Sequence, residues 1–268
     1  MHRALTAIVA RELRRMFRQR GRLVSAMVRP LIWLFVIGSG FQAMLKGLGV
    51  DHYQQFMVPG LLAMVLLFGA MLASLSMVYD KESGVMRMLI IAPFPHYWII
   101  LARTLSATVA ALVQALLLIV ILIPMGYFGM PEHTALLAGG LVMTALTCAA
   151  TGMLIAVYSK TMDNFAVIMN FVIFPMFFLS GALYPVEHLP AVLKVIALAN
   201  PFSYGVDLLK HASIANAPAQ FRPDLSVGVD VLVMTGFVIA ALSVSCLRFS
   251  RGPVLETLAR VLSGAKRG

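Results

Sequence analysis

Residues 56–79 read FMVPGLLAMVLLFGAMLASLSMVY, 24 positions without one charged side chain. At about 1.5 Å of rise per residue, a helix of that length exceeds the ~30 Å hydrocarbon core of a bilayer. The run is apolar all round, so it has no face to offer water. In lipid its peptide groups can only be paired within a helix. Five further mainly apolar runs lie at about 23–45, 99–123, 134–158, 163–183 and 227–247. The expected fold class is therefore all-α integral membrane, with six transmembrane helices.

Composition agrees with that class. The chain of 268 residues is 60% hydrophobic and only 12% charged, whereas a soluble domain is about half apolar and a quarter charged. The formal charge of +10 would suit nucleic acid, but the basic residues sit outside the apolar runs and at the termini. That pattern belongs to an inner-leaflet surface, and no nucleic-acid partner is expected. Arg3, Arg11, Arg14, Arg15, Arg18, Arg20, Arg22, Arg29, Lys81, Arg87, Arg103, Lys160, Arg248, Arg251, Arg260, Lys266 and Arg267 fall on one side. Only Lys46, Lys194, Lys210 and Arg222 fall on the other. Both termini are thus expected in the cytoplasm, with the chain in a cell inner (plasma) membrane. No cleavable signal peptide is expected, because the first apolar run starts only near residue 23 and is too long for a signal core.

Three regions follow: an interface helix at 1–22, the transmembrane domain at 23–247 and a basic cytoplasmic tail at 248–268. Within 3–20, Leu5, Ile8, Val9, Leu13, Met16 and Phe17 recur at helical spacing while Arg11, Arg14, Arg15 and Arg18 fill much of the remainder. A plain charge anchor would explain the arginines but not the stripe, so an amphipathic interfacial helix is expected. Gly140, Thr144, Cys148 and Gly152 are spaced by four and predict close helix packing, as Gly236 and Ala240 do more weakly. Cys148 and Cys246 lack metal-type spacing and read as small buried thiols.

The chemistry the chain lacks is informative. There is no G-x-x-x-x-G-K-[ST] phosphate loop, so no ATP hydrolysis is expected from this chain and it is not expected to be an enzyme. No carboxylate pair, histidine cluster or Lys–Asp pair is apparent within a span, which disfavours an ion-driven carrier. His188 and His211 read as surface residues. Two other stretches carry pattern. The loop after the second run is Tyr79-Asp80-Lys81-Glu82-Ser83-Gly84-Val85-Met86-Arg87-Met88-Leu89-Ile90-Ile91-Ala92-Pro93. It predicts a short helix with Asp80 and Glu82 near its start and Pro93 at its end. Such a helix either lies against the membrane or docks into a cytoplasmic partner. The second stretch holds Ser180, Gly181, Pro185, Pro190, Asn200 and Pro201. Its X-Pro breaks predict short helices bending back at the outer surface, with a kink at Pro175.

Taken in order, the basic amphipathic start, Glu82-Ser83-Gly84 with Leu89 and Pro93, and Phe178-Leu179-Ser180-Gly181…Pro185…Leu189-Pro190…Asn200-Pro201 resemble an ABC-2 transporter permease. The resemblance covers nearly the whole chain. It is to the small six-span branch of drug-resistance, nodulation-factor and polysaccharide exporters. It implies a cytoplasmic coupling helix at about 80–93, contacting a nucleotide-binding subunit through Asp80, Lys81, Glu82, Gly84, Arg87, Leu89 and Pro93. It also implies re-entrant helices at about 184–210 and an assembly of two permease copies with two ATPase copies. ATP and Mg would then be bound by the partner, with no cofactor in this chain. The large periplasmic domain of the lipoprotein and macrolide branches is absent, which disfavours tripartite efflux. Candidate pathway residues are Ser39, Gln42, Ser74, Tyr79, Gln114, Asn170 and Ser180, among Phe165, Phe171, Phe174, Phe177 and Phe178. Such a lining suits an amphiphile or hydrophobic substrate carried by alternating access. The alternative is a membrane anchor for a larger complex.

Overall fold

A computed structural model describes residues 20–46, 53–86, 95, 97–129, 133–186, 189–213 and 223–264, with side chains of the last helix described through Ser250. The interface-helix residues 3–19 and the coupling residues Arg87, Leu89 and Pro93 lie outside the described residues. Among the described residues there is no strand. The elements are α1 (Arg20–Ile32), a π-helical stretch (Trp33–Gly38), α2 (Ser39–Lys46), α3 (Tyr53–Glu82), α4 (Tyr97–Leu122), α5 (Thr134–Tyr158), α6 (Met162–Phe178), α7 (Ala191–Ala199), α8 (Pro201–Ser213) and α9 (Val227–Gly264).

Among the described residues, five helices are long and apolar enough to cross a membrane: Ala26–Met44, α3, α4, α5 and Val227–Ser250 of α9. Helix α6 has only 17 residues, about 25 Å of rise. It begins beside Glu82, whose carboxylate accepts the Met162 amide. The chain after it reaches the far end of α3, where the Tyr53 hydroxyl donates to the Leu183 carbonyl at 2.8 Å. With that extension it makes the sixth crossing. The bundle thus has a Glu82 end and a Tyr53 end.

Helix α3 is the hub, packing on α4, α5, α6, α8 and the first helix. In α3 and α5, 72% of the membrane-length window is buried, against 22% in the first and last spans. The central pair is therefore enclosed by protein, while the flanking spans are largely exposed on the chain. Pro59 inside α3 and Pro30 inside α1 are tolerated because neighbouring helices and local π geometry accommodate freed backbone groups.

Lipid offers no hydrophobic drive for helix association, so small residues that admit close contact decide the packing. The α5 stripe meets that expectation. Gly140 faces Leu208 and Leu209, and Gly152 faces Ser74. The Thr144 hydroxyl donates to the Gly205 carbonyl at 3.3 Å. Cys148 is fully buried. By contrast, Gly236 and Ala240 are exposed, and nothing lies within 4 Å of a side chain added at Gly236. Among the described residues nothing packs against the Gly236 position of that second stripe.

Candidate coupling and transport site

The loop after α3 departs from its expected form. Asp80, Lys81 and Glu82 are not the start of a short helix but the last turn of α3. The helix continues because each charge finds a partner. Asp80 is buried and ion-paired with buried Arg103 of α4, whose guanidinium also donates to the Ser76 hydroxyl at 3.1 Å. The Lys81 ammonium donates to the carbonyls of Ala156 at 2.8 Å, Val157 at 2.8 Å and Ser159 at 3.4 Å. Those carbonyls end α5, where a cation complements the unsatisfied helix terminus. Glu82, exposed, accepts the Met162 amide at 3.0 Å, the first residue of α6. A carboxylate suits that terminus, and Thr161 adds a side-chain cap by accepting from the Asn164 amide at 3.3 Å. The end of α3 therefore grips the α5–α6 turn from both sides.

Gly84 stops the helix. Its φ of +79° with open space around it is the left-handed conformation that ends helices and that a Cβ disfavours. Beyond it, Val85 is exposed and Met86 is buried. Met86 shares an apolar cluster with Met77, Ile99, Ile100, Phe165 and Phe249.

The candidate pathway residues do not form one group. Ser74 is buried, its hydroxyl donating to the Ala70 carbonyl at 2.9 Å. Ser39 bonds back to the Phe35 carbonyl of the preceding turn, and Gln42 accepts the Gln54 amide at 3.3 Å. Tyr79 is exposed. Gln114 is buried against Gly69. Asn170 and Phe174, however, share an outward face of α6 with Phe171 and Phe178. Phe171 is 81% exposed and Phe174 52%, whereas Phe165 and Phe177 point inward.

Arg29 lies beside the middle of α3. Its guanidinium sits 3.9 Å from the Phe68 ring centre, a level 14 residues or about 21 Å along α3 from Glu82. With Ala26, Pro30, Met64, Val65, Leu72 and Gln114 the pair lines a cleft of about 130 Å³.

At the Tyr53 end, Gly181 takes a φ of +77° where an added Cβ would lie 2.8 Å from Val186. The buried Ser180 hydroxyl donates to the Phe177 carbonyl at 2.6 Å. Pro175 falls in the last turn of α6. Pro185 precedes the Val186 turn, and Pro190 is the N-cap of α7. Helices α7 and α8 meet at 85°. Asn200 makes the corner, its amide donating to the Met176 carbonyl at 2.8 Å and its oxygen accepting the Phe202 amide at 3.1 Å. Asn as cap followed by Pro201 in the first turn is the local sequence that starts α8. Gly205 rests on Thr144 and Leu209 on Gly140, nearer the start of α5. So α7 runs inward, α8 runs back out, and the pair enters and leaves at one end.

A charged cluster ends that hairpin, outside the expected apolar runs except for Asp230. Asp207 accepts the amides of Asp224 at 2.8 Å and Leu225 at 2.9 Å. Lys210, 2% exposed, lies 3.7 Å from Asp224. His211 is not a simple surface residue, since its Nε2 is 2.8 Å from the Leu225 carbonyl. Asp230 of α9 is fully buried beside them. In the sequence only Asp207, Lys210 and His211 of this cluster stand together, about one turn of α8.

Six crossings, a charge-clamped turn at one end and a re-entrant helical pair at the other define a polytopic membrane protein built around a central helix pair. The model of the ABC-2 type transporter family matches residues 3–212, and the chain belongs to that family. It is accordingly a permease subunit of an ABC transporter, the component that works with an ABC ATPase subunit. Similar proteins include the transport permease ycf38 of Cyanophora paradoxa, 24% identical over 70% of this chain and 66% of its own length. Nodulation protein J of Rhizobium leguminosarum bv. trifolii is 26% identical over 70% of this chain and 72% of its own. The multidrug ABC transporter permease YbhR of Escherichia coli K12 is 27% identical over 62% of this chain and 45% of its own.

Proposed function

We propose that the chain is the transmembrane subunit of an exporter that moves an amphiphilic substrate out of the cytoplasm or inner leaflet. Two copies pair with two ATPase subunits in the plasma membrane, with the Glu82 end and both termini cytoplasmic. The observation that carries this reading is the outward stripe of α6. Asn170 is exposed there among Phe171, Phe174 and Phe178. An amide facing lipid lacks hydrogen-bond partners, so polar residues in membrane helices turn toward a cavity or another helix. Two copies meeting along this stripe would enclose a pathway that is mainly aromatic and locally polar. The Arg29 cleft supports an amphiphile further. One cation and one amide in an apolar wall suit a polar or anionic headgroup whose tail remains among the spans.

ATP binding by the partner would move the segment beyond Gly84 and, through the Lys81 and Glu82 clamps, the α5–α6 turn. The spans then shift as rigid bodies between inward-open and outward-open arrangements. The test is reconstitution with the ATPase. Phe174→Cys should cross-link between copies, and Asn170→Leu should lower substrate-stimulated turnover while leaving the complex assembled. Glu82→Ala and Gly84→Leu should uncouple ATP hydrolysis from transport. Failure to cross-link, together with full transport by Asn170→Leu, overturns the pathway. ATPase binding without any substrate-dependent turnover would instead indicate an anchor subunit.

A further inference from the structure

Asp230 is the least accommodated side chain at the Tyr53 end. It is 0% exposed, and neither carboxylate oxygen has a hydrogen-bond partner among the described residues. A buried carboxylate must be neutralised by a proton or a cation. Protonation alone leaves an O–H without an acceptor, which is itself costly when buried. A cation would satisfy both oxygens.

The surroundings have the right donors. Ligand atoms of Asp207, His211 and Asp230 lie within 4.8 Å of one another. His211 Nε2 is 3.8 Å from Asp207 Oδ2 and 2.8 Å from the Leu225 carbonyl. In a six-coordinate shell, metal–ligand bonds of about 2.0–2.2 Å put neighbouring ligands about 3 Å apart and opposite ones about 4.2 Å apart. The three side chains, whose ligand atoms lie within 4.8 Å of one another, would draw together by up to about 0.6 Å on binding the ion. The contact at 2.8 Å therefore suits two adjacent ligands of one ion as well as a hydrogen bond. Charge points the same way. Asp207, Asp224 and Asp230 carry three negative charges, and Lys210, held 3.7 Å from Asp224, supplies one positive charge. A divalent ion restores neutrality. His211 is the most open member, its side chain 25% exposed, and gives an entry path.

We propose that Asp207, His211 and Asp230, with the Leu225 carbonyl, form a divalent-cation site. The ion ties the end of the α7–α8 hairpin to the first turn of α9. One imidazole with carboxylates favours a transition-series ion such as Zn²⁺ over Mg²⁺ or Ca²⁺. This site holds whichever substrate the permease carries.

The test uses the untagged full chain, chelator-treated in mild detergent, with Zn²⁺ as probe. Titration calorimetry and elemental analysis should show one tight Zn²⁺ per chain, and Zn²⁺ should raise the melting temperature. Asp230→Asn and His211→Gln should each weaken that binding by at least about tenfold. Without metal, Asp230→Asn should melt no lower than the parent, because it removes an unsatisfied charge while keeping the shape; this guards against a folding artefact. Mg²⁺ and Ca²⁺ should compete poorly. No tight Zn²⁺ in the parent overturns the proposal, as does equal Zn²⁺ binding by the two variants, which would mark adventitious capture by the other histidines.

Discussion

Asp80 and Arg103 allow a quantitative test of what the end of α3 does. Their side chains are 9% and 3% exposed, and the pair joins α3 to α4. Removing one member of a buried ion pair leaves the other charge in a poor dielectric and costs about 3–5 kcal/mol. That is about two to three and a half orders of magnitude in the folded-to-unfolded ratio, a large part of the ~5–15 kcal/mol that holds a folded protein. Arg103→Met and Asp80→Asn should each show this loss. The double variant should recover most of it, because two neutral side chains of similar volume need no compensation. The assay is unfolding in detergent, followed by fluorescence of Trp98 in a Trp33→Phe background. Trp98 lies in the first turn of α4, five residues from Arg103, and reports this end of the bundle. Reconstituted with its ATPase, the double variant should retain coupling, since Asp80 acts through the fold and is not presented to a partner. Single variants within about 0.5 kcal/mol of the parent, as for surface pairs, would refute the reasoning. So would a double variant as damaged as both singles combined.

Three further outcomes are expected. Gly60→Ala would put its Cβ 2.3 Å from the Ala182 carbonyl oxygen, a backbone atom that cannot rotate away. A loss of about 1–3 kcal/mol or more by overpacking should appear in the melting temperature. Lys81→Met withdraws donors from three carbonyls at the end of α5. It should cost roughly 1–3 kcal/mol and speed amide exchange first at residues 156–162, as measured by hydrogen–deuterium exchange. Asn200→Ala removes both the α8 cap and the tie to Met176. Roughly 0.5–2 kcal/mol should be lost, with protease cleavage rising around 190–201.

Length and apolarity carried the spans and most of the order of the elements, because both are properties of contiguous residues. The small-residue stripe on α5 was equally legible, since its four-residue spacing is local. What sequence reading missed depends on partners far along the chain. Asp80, Lys81 and Glu82 look like loop charges until Arg103, Ala156 and Met162 are beside them. Arg29 counts as a surface cation until α1 is laid along Phe68. Asp230 looks like an ordinary acid in the first turn of a helix, where the dipole favours it. Its isolation arises only because the 224–225 backbone folds back onto Asp207. Gly236 and Ala240 illustrate the opposite limit: the spacing permits close approach but names no partner. Helix α9 likewise runs on to Gly264, past the boundary expected from hydropathy near 247, because charged residues end an apolar run without ending a helix.

The two ends of the bundle differ in what joins them to α3, and this bears on how movement could pass between them. At the Glu82 end the joint is polar: Lys81 and Glu82 sit on the termini of α5 and α6 beside the buried Asp80–Arg103 pair. At the Tyr53 end the joint is steric: Gly60 lies under the Ala182 carbonyl, and the Tyr53 hydroxyl holds Leu183. Between them runs one continuous helix of 30 residues, enclosed on most sides, with no room to bend far without disturbing α5. A displacement at Glu82 that tilts α3 must therefore alter the Gly60–Ala182 contact, because packed interiors shift as units and do not deform gradually. Joining position 60 to position 182 by a disulfide, through Gly60→Cys and Ala182→Cys, is too close to form without strain. Tyr53→Phe is the cleaner probe. It removes one hydrogen bond and leaves the stacking of the ring on Phe41 intact. If α3 conveys the ATPase cycle to the hairpin, Tyr53→Phe should change substrate-stimulated turnover while basal ATP hydrolysis and assembly stay near the parent. An unchanged turnover would mean that the hairpin moves independently of α3, and the route would then pass through α5 by way of Thr144 and Gly205.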